Sequence, residues 1–318
     1  MTFFRADHWV WDFWLADDGE RFHLYYLHAP RSLGDPDLRH RNARIGHASS
    51  LDLSAWDDHG TVLGPGDATD FDASATWTGS IARGDDGVWR MFYTGARFLA
   101  ADSVANLESV GVATSTDLHT WTKQAAPIVV ADPAWYETFE TGTWREEAWR
   151  DPWVFRAGEE WRMLLTARNA HGDPLDRGVI GLATSRDLQT WTVRGPVSEP
   201  GAGFMHLEVP QHLQIEGRTV LLFSCDTLHL TGARAGDEGG IWVCAASEGE
   251  PYPTASAERL LDERYYSGRA VQGRDGAWKL LAFENVGGDG EFVGRLSDPL
   301  ALTWSGDTLV VDEKETVG

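Results

Sequence analysis

The sequence predicts an all-β fold, namely a five-bladed β-propeller with four-stranded antiparallel blades. Three observations support this fold class. Five apolar segments rich in β-branched and aromatic residues recur along the 318 residues. A charged or glycine-containing turn precedes each segment. A Ser-x-Asp-Leu-x-x-Trp motif follows several of the segments. Five copies give a period of roughly 64 residues, which is the size of a four-stranded propeller blade with long loops.

The five apolar segments are predicted to be the second strands of the blades. The turns before them read DDGE, GDDG, AGEE, IEGR and GRDG, which are hairpin signals. Amphipathic stretches of helical period are almost absent, and this argues against an alternating α/β fold. The segments are 22–29, 89–96, 161–168, 219–226 and 278–285.

The Ser-x-Asp-Leu-x-x-Trp motif occupies residues 50–56, 115–121 and 185–191, with a looser copy at 297–304. A short glycine-led strand precedes each copy, so the motif is predicted to be the turn into a strand that carries tryptophan. We expect these tryptophans to pack blade against blade. The fourth unit, around IWVCAASEGEPY, is the weakest repeat.

The strand before each hairpin is expected to line the central channel, because the first strand of a blade is the innermost one. Three of these strands contain one carboxylate each: Asp12 in VWDFWLA, Asp151 in AWRDPWVFR and Glu208 in FMHLEVPQHLQ. Equivalent strands converge on the axis, so we expect an active site at one end of the channel. The blade 2 strand supplies Trp77 and Ser80, and the blade 5 strand supplies Tyr265, Tyr266 and Arg269.

Converging carboxylates suit the cleavage of glycosides. A retaining glycosidase needs an ionised nucleophile and a protonated acid, with the two carboxyl groups about 5–5.5 Å apart. Burial and mutual repulsion are expected to raise the pKa of the acid. A third carboxylate can hydrogen-bond the sugar hydroxyls and stabilise the transition state.

Four motifs in this order resemble the five-bladed β-fructosidases, which comprise the invertase, inulinase and levanase family (glycoside hydrolase family 32) and the levansucrase family (family 68). VWDFW is similar to the VWDSW nucleophile motif of levansucrases and less similar to the Asn-Asp-Pro-Asn motif of invertases. TWTGSIARGDDGVWRMFYTG resembles a segment common to both families, and WRDPWVF contains their Arg-Asp-Pro motif. LEVP lies where these families have Glu-Cys-Pro or Glu-Arg-Pro.

The resemblance implies a retaining β-fructofuranosidase that cleaves sucrose or short β-fructosides through a fructosyl-enzyme intermediate, with fructosyl transfer left open. It implies that Asp12 is the nucleophile, Glu208 the general acid/base and Asp151 the transition-state stabiliser. The substrate-binding residues are expected to be Trp11, Trp77, Ser80, Arg150, His206 and Tyr266.

The chain also departs from the family pattern. His206 stands where levansucrases have an acid, and Leu15 stands where they usually have proline. We expect a single propeller domain over residues 1–318, without the C-terminal β-sandwich of invertases. Strict strand alternation would place Trp14 on the face of Asp12 and Trp11 on the other face. The subsite role of Trp11 then requires the strand to twist.

Composition excludes several functions. A net charge of −22 argues against nucleic-acid partners and anionic membranes. No window is apolar enough for a membrane span, no secretory signal is recognisable, and Cys225 and Cys244 are too few for a disulfide framework. We therefore expect a cytoplasmic protein whose partner is a small carbohydrate, with no cofactor and with an oligomeric state that the sequence does not define.

Three other functions stay open. The first is a related five-bladed hydrolase that acts on pentofuranosides such as arabinan or xylan fragments. The second is a non-catalytic sugar-binding propeller, which the presence of all three acids disfavours. The third is a metal site at His206, Glu208 and His212, which Pro210 would interrupt. We expect no metal, and no loop has the spacing of an EF-hand calcium site.

Overall fold

Five antiparallel sheets surround a central channel in the computed structural model, which describes residues 2–247, 249–288 and 290–312. In four sheets the strands follow one another in chain order, and in the last sheet the third and fourth strands in chain order both pair with the second. The first strands of neighbouring sheets contact one another, so they are the innermost strands. The predicted five-bladed propeller with four-stranded antiparallel blades is therefore confirmed, with one additional short strand in the last blade.

The predicted hairpin segments coincide with the second strand of each blade. The strands are β1 (His8–Asp17), β2 (Phe22–Pro30), β3 (Arg44–Ser50) and β4 (Asp57–Leu63) in blade 1; β5 (Ala75–Arg83), β6 (Trp89–Phe98), β7 (Asn106–Ser115) and β8 (Thr122–Lys123) in blade 2; β9 (Trp149–Ala157), β10 (Glu160–Arg168), β11 (Gly178–Ser185) and β12 (Thr192–Arg194) in blade 3; β13 (Glu208–Ile215), β14 (Arg218–Cys225), β15 (Gly240–Ala245) and β16 (Glu258–Asp262) in blade 4; and β17 (Tyr265–Gln272), β18 (Trp278–Val286), β19 (Phe292–Leu296), β20 (Leu300–Ser305) and β21 (Thr308–Asp312) in blade 5. Short 3-10 helices lie in the loops at Arg31–Leu33, Pro36–Asn42, Thr227–His229, Gly232–Arg234 and Thr254–Ser256.

The Ser-x-Asp-Leu turns have the same geometry in blades 1, 2 and 3. In blade 2 the Ser115 hydroxyl accepts the amide hydrogen of Leu118 at 2.9 Å, and Asp117 accepts the amides of His119 and Thr120 at 2.8 Å. Leu118 is buried in the left-handed region, with a φ of 63°. These side-chain acceptors satisfy turn amides that have no ladder partner, which offsets the cost of the strained leucine.

The tryptophans that follow these turns pack against the preceding blade. Trp121 meets Tyr25 of blade 1 edge-on at 5.6 Å between ring centroids, and Trp191 meets Phe92 of blade 2 at 5.5 Å. Trp56 packs against an apolar cluster that contains blade 5 residues. The expectation that they pack blade against blade is confirmed.

Arg269 of β17 links the innermost strands of several blades. Its buried guanidinium donates hydrogen bonds to the carbonyls of Phe13, Val209 and Pro210 and lies 4.9 Å from the Trp153 ring centroid. A cavity of about 140 Å³ lies beside it, lined in part by later residues of β1 and β17. The arginine thus links three blades and lines this cavity.

Among the residues that the structure describes, no helix has the length and apolar character needed to cross a membrane. Cys225 and Cys244 are both buried and both free. Cys225 pairs with Gly240 across the β14–β15 ladder and Cys244 pairs with Leu221, so the two thiols lie at opposite ends of that strand pair.

Candidate active site

A β-bulge interrupts every innermost strand at an equivalent place. A bulge leaves a residue without a ladder partner and redirects its side chain. Three of the bulge residues have a left-handed backbone, with φ between 51° and 58°. The five residues at these bulges are Asp12, Thr78, Asp151, Val209 and Ser267. The bulges therefore place two of the three predicted acids, together with groups that bond to them, around the axis.

Asp12 is held by hydroxyls from the blades on either side of it. Thr78 donates to one carboxylate oxygen at 2.5 Å, and Ser267 donates to the other. Burial raises the pKa of Asp12, and the charge of Glu208 adds to this, whereas the two hydroxyl hydrogen bonds lower it. The carboxylate is thus fixed in orientation by both oxygens and is partly exposed to the channel.

Asp151 is almost completely buried and is held by blades 3 and 4. One of its oxygens accepts the Thr166 hydroxyl at 2.8 Å and the Val209 amide at 3.0 Å. Its own amide donates to the Thr94 hydroxyl at 2.9 Å, which supports the left-handed backbone. Burial raises the pKa of Asp151 to about 7, against the opposing effect of Arg150 and with smaller contributions from the charges of Glu208 and Asp12.

Arg150 joins Glu208 to a buried acid of blade 2. Its guanidinium donates to Glu208 at 2.8 Å and to both oxygens of Glu108 at 3.1 Å, and a third acid, Glu146, lies 3.4 Å away. Burial opposes the positive charge of Arg150, but these surrounding carboxylates raise its pKa well above the ordinary value. The nearest Asp151 oxygen is 4.0 Å away, so Arg150 binds Glu208 more directly than it binds its sequence neighbour.

Glu208 is partly exposed and carries two further polar neighbours. The Tyr266 hydroxyl donates to it at 2.6 Å, and the Nε2 atom of His206 lies 3.8 Å from it. Burial alone would raise the pKa of Glu208, but His206, Arg150 and the Tyr266 hydrogen bond outweigh burial and hold this pKa well below its ordinary range. The expectation of a raised pKa on the acid is therefore wrong, because two strong donors stabilise the charged form.

The bulge at Asp12 also changes which aromatic side chains share a face. Trp11 pairs with Leu27 and Phe13 with Tyr26, so Asp12 is the extra residue. Trp11 and Trp14 therefore lie in one apolar cluster, and Phe13 lies in another. The alternation that placed Trp11 opposite Trp14 was wrong, since an inserted residue reverses the alternation.

Trp11 and Trp77 lie near a loop between β2 and β3 that reaches the site. The His40 ring meets both indoles edge-on at 6.4 Å between ring centroids, and the Trp77 indole donates to the His40 carbonyl at 2.7 Å. Arg39 lies over the Trp11 ring at 5.8 Å. His40 is exposed, and it lies close enough to Glu208 and Arg150 to interact electrostatically with both. The loop therefore brings a cation and an imidazole to the rim of the carboxylate pocket.

Ser80 lies two residues beyond the bulge and is buried between blades. Its hydroxyl accepts the Val154 amide at 3.0 Å. Thr78, rather than Ser80, contacts the nucleophile candidate. The expected contact of Ser80 with sugar is therefore not supported by its position, because the bulge moves the channel-facing hydroxyl to residue 78.

His206 is buried beside Glu208, and within the described residues neither ring nitrogen has a hydrogen-bond partner. Its ring centroid lies 4.4 Å from that of His229, which is bound to Asp226. Burial lowers the pKa of His206 to about 4. These two unpartnered nitrogens beside the acid/base candidate are available to bond a leaving group.

His212 does not join His206 and Glu208 in a metal site. It accepts or donates a hydrogen bond with the Tyr252 hydroxyl at 2.8 Å and stacks on Phe155 at 4.2 Å between ring centroids. The combination of His206, Glu208 and His212 is therefore wrong, because Pro210 lies in the bulge that separates these residues. The donor atoms of His206, Asp226 and His229 do lie within 4.8 Å of one another.

Sequence reasoning missed several residues of this site. Thr78 and Ser267 carried a usable signal, since each occupies the position in its strand that Asp12 occupies in blade 1. Glu108, Glu146, Arg39 and His40 carried none, because they lie on a third strand or in loops whose approach to the axis depends on the assembled propeller.

The chain is similar to a known protein family and to several known proteins. Residues 15–285 match the model of the glycosyl hydrolases family 32 N-terminal domain. This match begins three residues after Asp12, so the role of Asp12 depends on its motif and its geometry. The chain is 29% identical over 216 residues to a sucrose-6-phosphate hydrolase of Escherichia coli, covering 67% of this chain and 40% of that protein.

Two other proteins are similar over most of the chain. A raffinose invertase of Escherichia coli is 26% identical over 274 residues, covering 84% of this chain and 52% of that protein. The chain thus spans about half the length of the curated relatives it matches. The fold resembles that of an inulosucrase from Halalkalicoccus jeotgali bound to kestose, with a TM-score of 0.78, 22% identity, and coverage of 96% and 87% of the two chains. Because the family match covers most of the propeller, the chain belongs to glycosyl hydrolase family 32.

Proposed function

We propose that this protein is a retaining β-fructofuranosidase that cleaves sucrose or short β-fructosides. The observation that carries the proposal is the convergence of Asp12, Asp151 and Glu208 from three innermost strands, with each carboxylate within electrostatic reach of the others. The named relatives act on sucrose phosphate or raffinose, and the similar solved structure holds kestose. All three sugars contain a β-fructofuranosyl unit, which makes this unit the proposed donor.

Asp12 is the proposed nucleophile. Its two oxygens are oriented by Thr78 and Ser267, so little rearrangement is needed before it attacks the anomeric carbon. This attack forms a glycosyl–carboxylate ester while the bond to the leaving oxygen breaks, and Glu208 gives its proton to that oxygen. In the second step Glu208 takes a proton from water, which displaces Asp12 from the sugar. An acceptor sugar in place of water would give fructosyl transfer.

Asp151 is the proposed stabiliser of the transition state. Thr166 and the Val209 amide occupy one of its oxygens, which leaves the other free to accept hydrogen bonds from the sugar. Such bonds strengthen as positive charge develops on the ring. Trp11, Trp77 and Tyr266 are proposed to shape the donor pocket, and His206 is proposed to bond the leaving group.

The proton that Glu208 donates must be acquired before cleavage. Arg150 and Tyr266 favour the charged carboxylate. We propose that bound substrate excludes water from Glu208 and raises its pKa toward that of a working acid. Activity is then highest on the acidic side of neutrality, because the protonated carboxyl is lost as pH rises.

The proposal is tested by incubating the purified protein with sucrose, short fructans and arabino- or xylo-oligosaccharides and identifying the products. We expect free fructose from the fructosides. With methanol as acceptor, a retaining enzyme gives the methyl β-fructofuranoside, whose anomeric configuration NMR identifies. Release of arabinose or xylose without fructose would instead support the pentofuranoside hydrolase, and binding of sugar without cleavage would support a non-catalytic propeller.

We also propose a cytoplasmic location. The two cysteines are buried and free, which is usual in reducing compartments. Alkylation of the protein in intact cells and after lysis, followed by mass spectrometry, tests the redox state. Recovery of the native protein from the cell exterior would contradict this location.

A further inference from the structure

Four histidines meet at the junction of blades 1 and 2, apart from the carboxylate pocket. His23 lies on β2, His47 on β3, His59 on β4, and His119 in the turn after β7. The His47 ring centroid is 4.7 Å from that of His59 and 4.8 Å from that of His119. One donor nitrogen from each of these three rings lies within 4.8 Å of the other two.

A chain of hydrogen bonds assigns the tautomers of the two inner rings. Asp18 accepts hydrogen bonds from the backbone amides of Glu20 and Arg21, and these bonds favour its ionised form. An ionised carboxylate can only accept, so in the 3.2 Å contact with His23 the Nε2 atom of His23 carries the hydrogen. Neutral His23 then carries a lone pair on Nδ1. This lone pair accepts the hydrogen on Nε2 of His47 at 3.0 Å.

Nδ1 of His47 is consequently a lone-pair nitrogen without a partner. The His47 side chain is completely buried, and this atom has no hydrogen bond within the described residues. A buried acceptor without a partner is costly, and a native structure usually compensates it. A donor nitrogen of the His47 ring lies within 4.8 Å of donor nitrogens on the exposed rings of His59 and His119, which could share a ligand with it.

The cluster is held in place from both blades. The Tyr25 hydroxyl donates to the Leu118 carbonyl at 2.6 Å, which fixes the backbone next to His119. Ser49 and His59 share a hydrogen bond of 2.9 Å. Burial, followed by the neighbouring imidazoles, lowers the pKa of His47 to about 2, and burial lowers those of His23 and His59. Neutral imidazoles are the form that binds metal ions.

We propose that His47, His59 and His119 form a binding site for a divalent transition metal of the zinc class. Imidazole nitrogen suits Zn²⁺, Cu²⁺ and Ni²⁺, and three histidines leave a fourth position for water. Ligand nitrogens stand about 3.4 Å apart in a tetrahedral zinc site, and the exposed rings of His59 and His119 can rotate to close the remaining distance. The hydrogen bond from Nε2 of His47 to the Asp18–His23 pair orients the His47 ring, as carboxylate partners do for metal-binding histidines.

Such a site would link two strands of blade 1 to the turn of blade 2. The direct test is calorimetric titration of the full chain with Zn²⁺, after removal of metals by a chelator and removal of any histidine tag. We expect one saturable high-affinity site and a rise in Tm when Zn²⁺ is added, because a ligand that binds only the folded state stabilises it.

Matched variants separate this site from other histidines. His119→Gln is compatible with the turn, because Gln189 occupies the same place in the blade 3 motif. We expect His119→Gln and His59→Gln to weaken Zn²⁺ binding at least about tenfold and Asp18→Asn to weaken it about tenfold. His171→Gln, which changes an exposed histidine outside the cluster, is the control and is expected to leave binding unchanged.

The competing metal site is the group of His206, Asp226 and His229. His229→Gln is therefore included and is expected to leave the high-affinity site intact. Three results would overturn the proposal, and the first two are no saturable binding to the unmodified chain and binding that survives both His59→Gln and His119→Gln. Loss of binding in His229→Gln alone would also overturn it. Tm without Zn²⁺ verifies that each variant is folded, and none of these outcomes depends on fructoside cleavage.

Discussion

The periphery and the axis of the propeller use the same repeated strands in opposite ways. At the periphery, blades 1, 2 and 3 share one turn in which a serine and an aspartate satisfy the same backbone amides and a leucine adopts φ between 60° and 67°. At the axis, the five bulges are equivalent in position but carry different residues and different partners.

This difference separates the parts that hold the fold from the parts available for chemistry. The peripheral acids bond only to backbone amides and a serine hydroxyl, so their hydrogen bonds stabilise the turn. The axial acids are desolvated, repel one another and depend on strained backbone at Asp151, which costs stability. Changes at the axis should therefore affect catalysis first, whereas changes at the periphery should affect stability alone.

The largest expected effect is the loss of activity in Asp12→Asn. The amide cannot act as the nucleophile, so the rate of fructose release from sucrose is expected to fall by about 10⁴-fold or more. Tm is expected to stay unchanged or to rise, because a partly buried charge is removed. Steady-state kinetics and thermal unfolding measure the two quantities. A variant with nearly full activity would remove Asp12 from the mechanism.

The next effect combines stability and activity at Arg150→Met. This change leaves the buried Glu108 without its cation, and breaking a buried ion pair in this way costs up to about 3–5 kcal/mol. Burial already raises the pKa of Glu108 to about 8, so uptake of a proton by its carboxyl reduces this cost. The free energy of unfolding, measured in urea, is expected to fall by up to this amount, and activity should fall with it because Glu208 loses a partner.

The control is the double variant Glu108→Gln with Arg150→Met, which removes both charges. It is expected to recover much of the stability without recovering activity. If the single and double variants were equally destabilised, the cost would come from lost packing rather than from an unpaired carboxylate.

A smaller effect is expected at the periphery in Asp117→Ala. The turn loses the acceptor of two amides, which is worth about 1–2 kcal/mol of unfolding free energy, while kcat and KM stay unchanged. The amide hydrogen bonds lower the pKa of Asp117 to about 2. The stability difference is therefore fully present above about pH 4 and shrinks as pH falls toward 2.

Asp187→Ala in the equivalent turn of blade 3 is the matched variant and should behave in the same way. A fall in kcat in either variant, with the fold intact, would show that the periphery is not independent of the axis.

The smallest effect is a shift in the pH profile of Tyr266→Phe. Loss of the hydroxyl removes one of the bonds that lower the pKa of Glu208, so this pKa should rise. Since the protonated acid is required, the alkaline limb of kcat/KM is expected to move to higher pH, by up to about one unit.

Tyr252→Phe removes a hydroxyl bonded to His212 instead and should leave this limb in place. A shift of the Tyr266→Phe limb to lower pH would contradict the assignment of Glu208 as the acid.

The sequence by itself determined the fold and predicted the three carboxylates that meet near its axis. Hairpin turns, repeated apolar strands and the Ser-x-Asp-Leu turns are local features, and their spacing defined five blades. Asp12, Asp151 and Glu208 could be found because each lies on the strand that precedes a predicted hairpin. The convergence of the innermost strands then brought them toward one axis.

Only the tertiary structure decided the bulges, the partners of the acids and their protonation. An inserted residue reverses strand alternation, so Trp11 and Trp14 share a face and Thr78 replaces Ser80 beside Asp12. The low pKa of Glu208 and the cluster around His47 each depend on side chains from different blades. Such contacts join residues that are far apart in the chain, and the electrostatic energy of a buried group depends on those contacts rather than on its sequence neighbours.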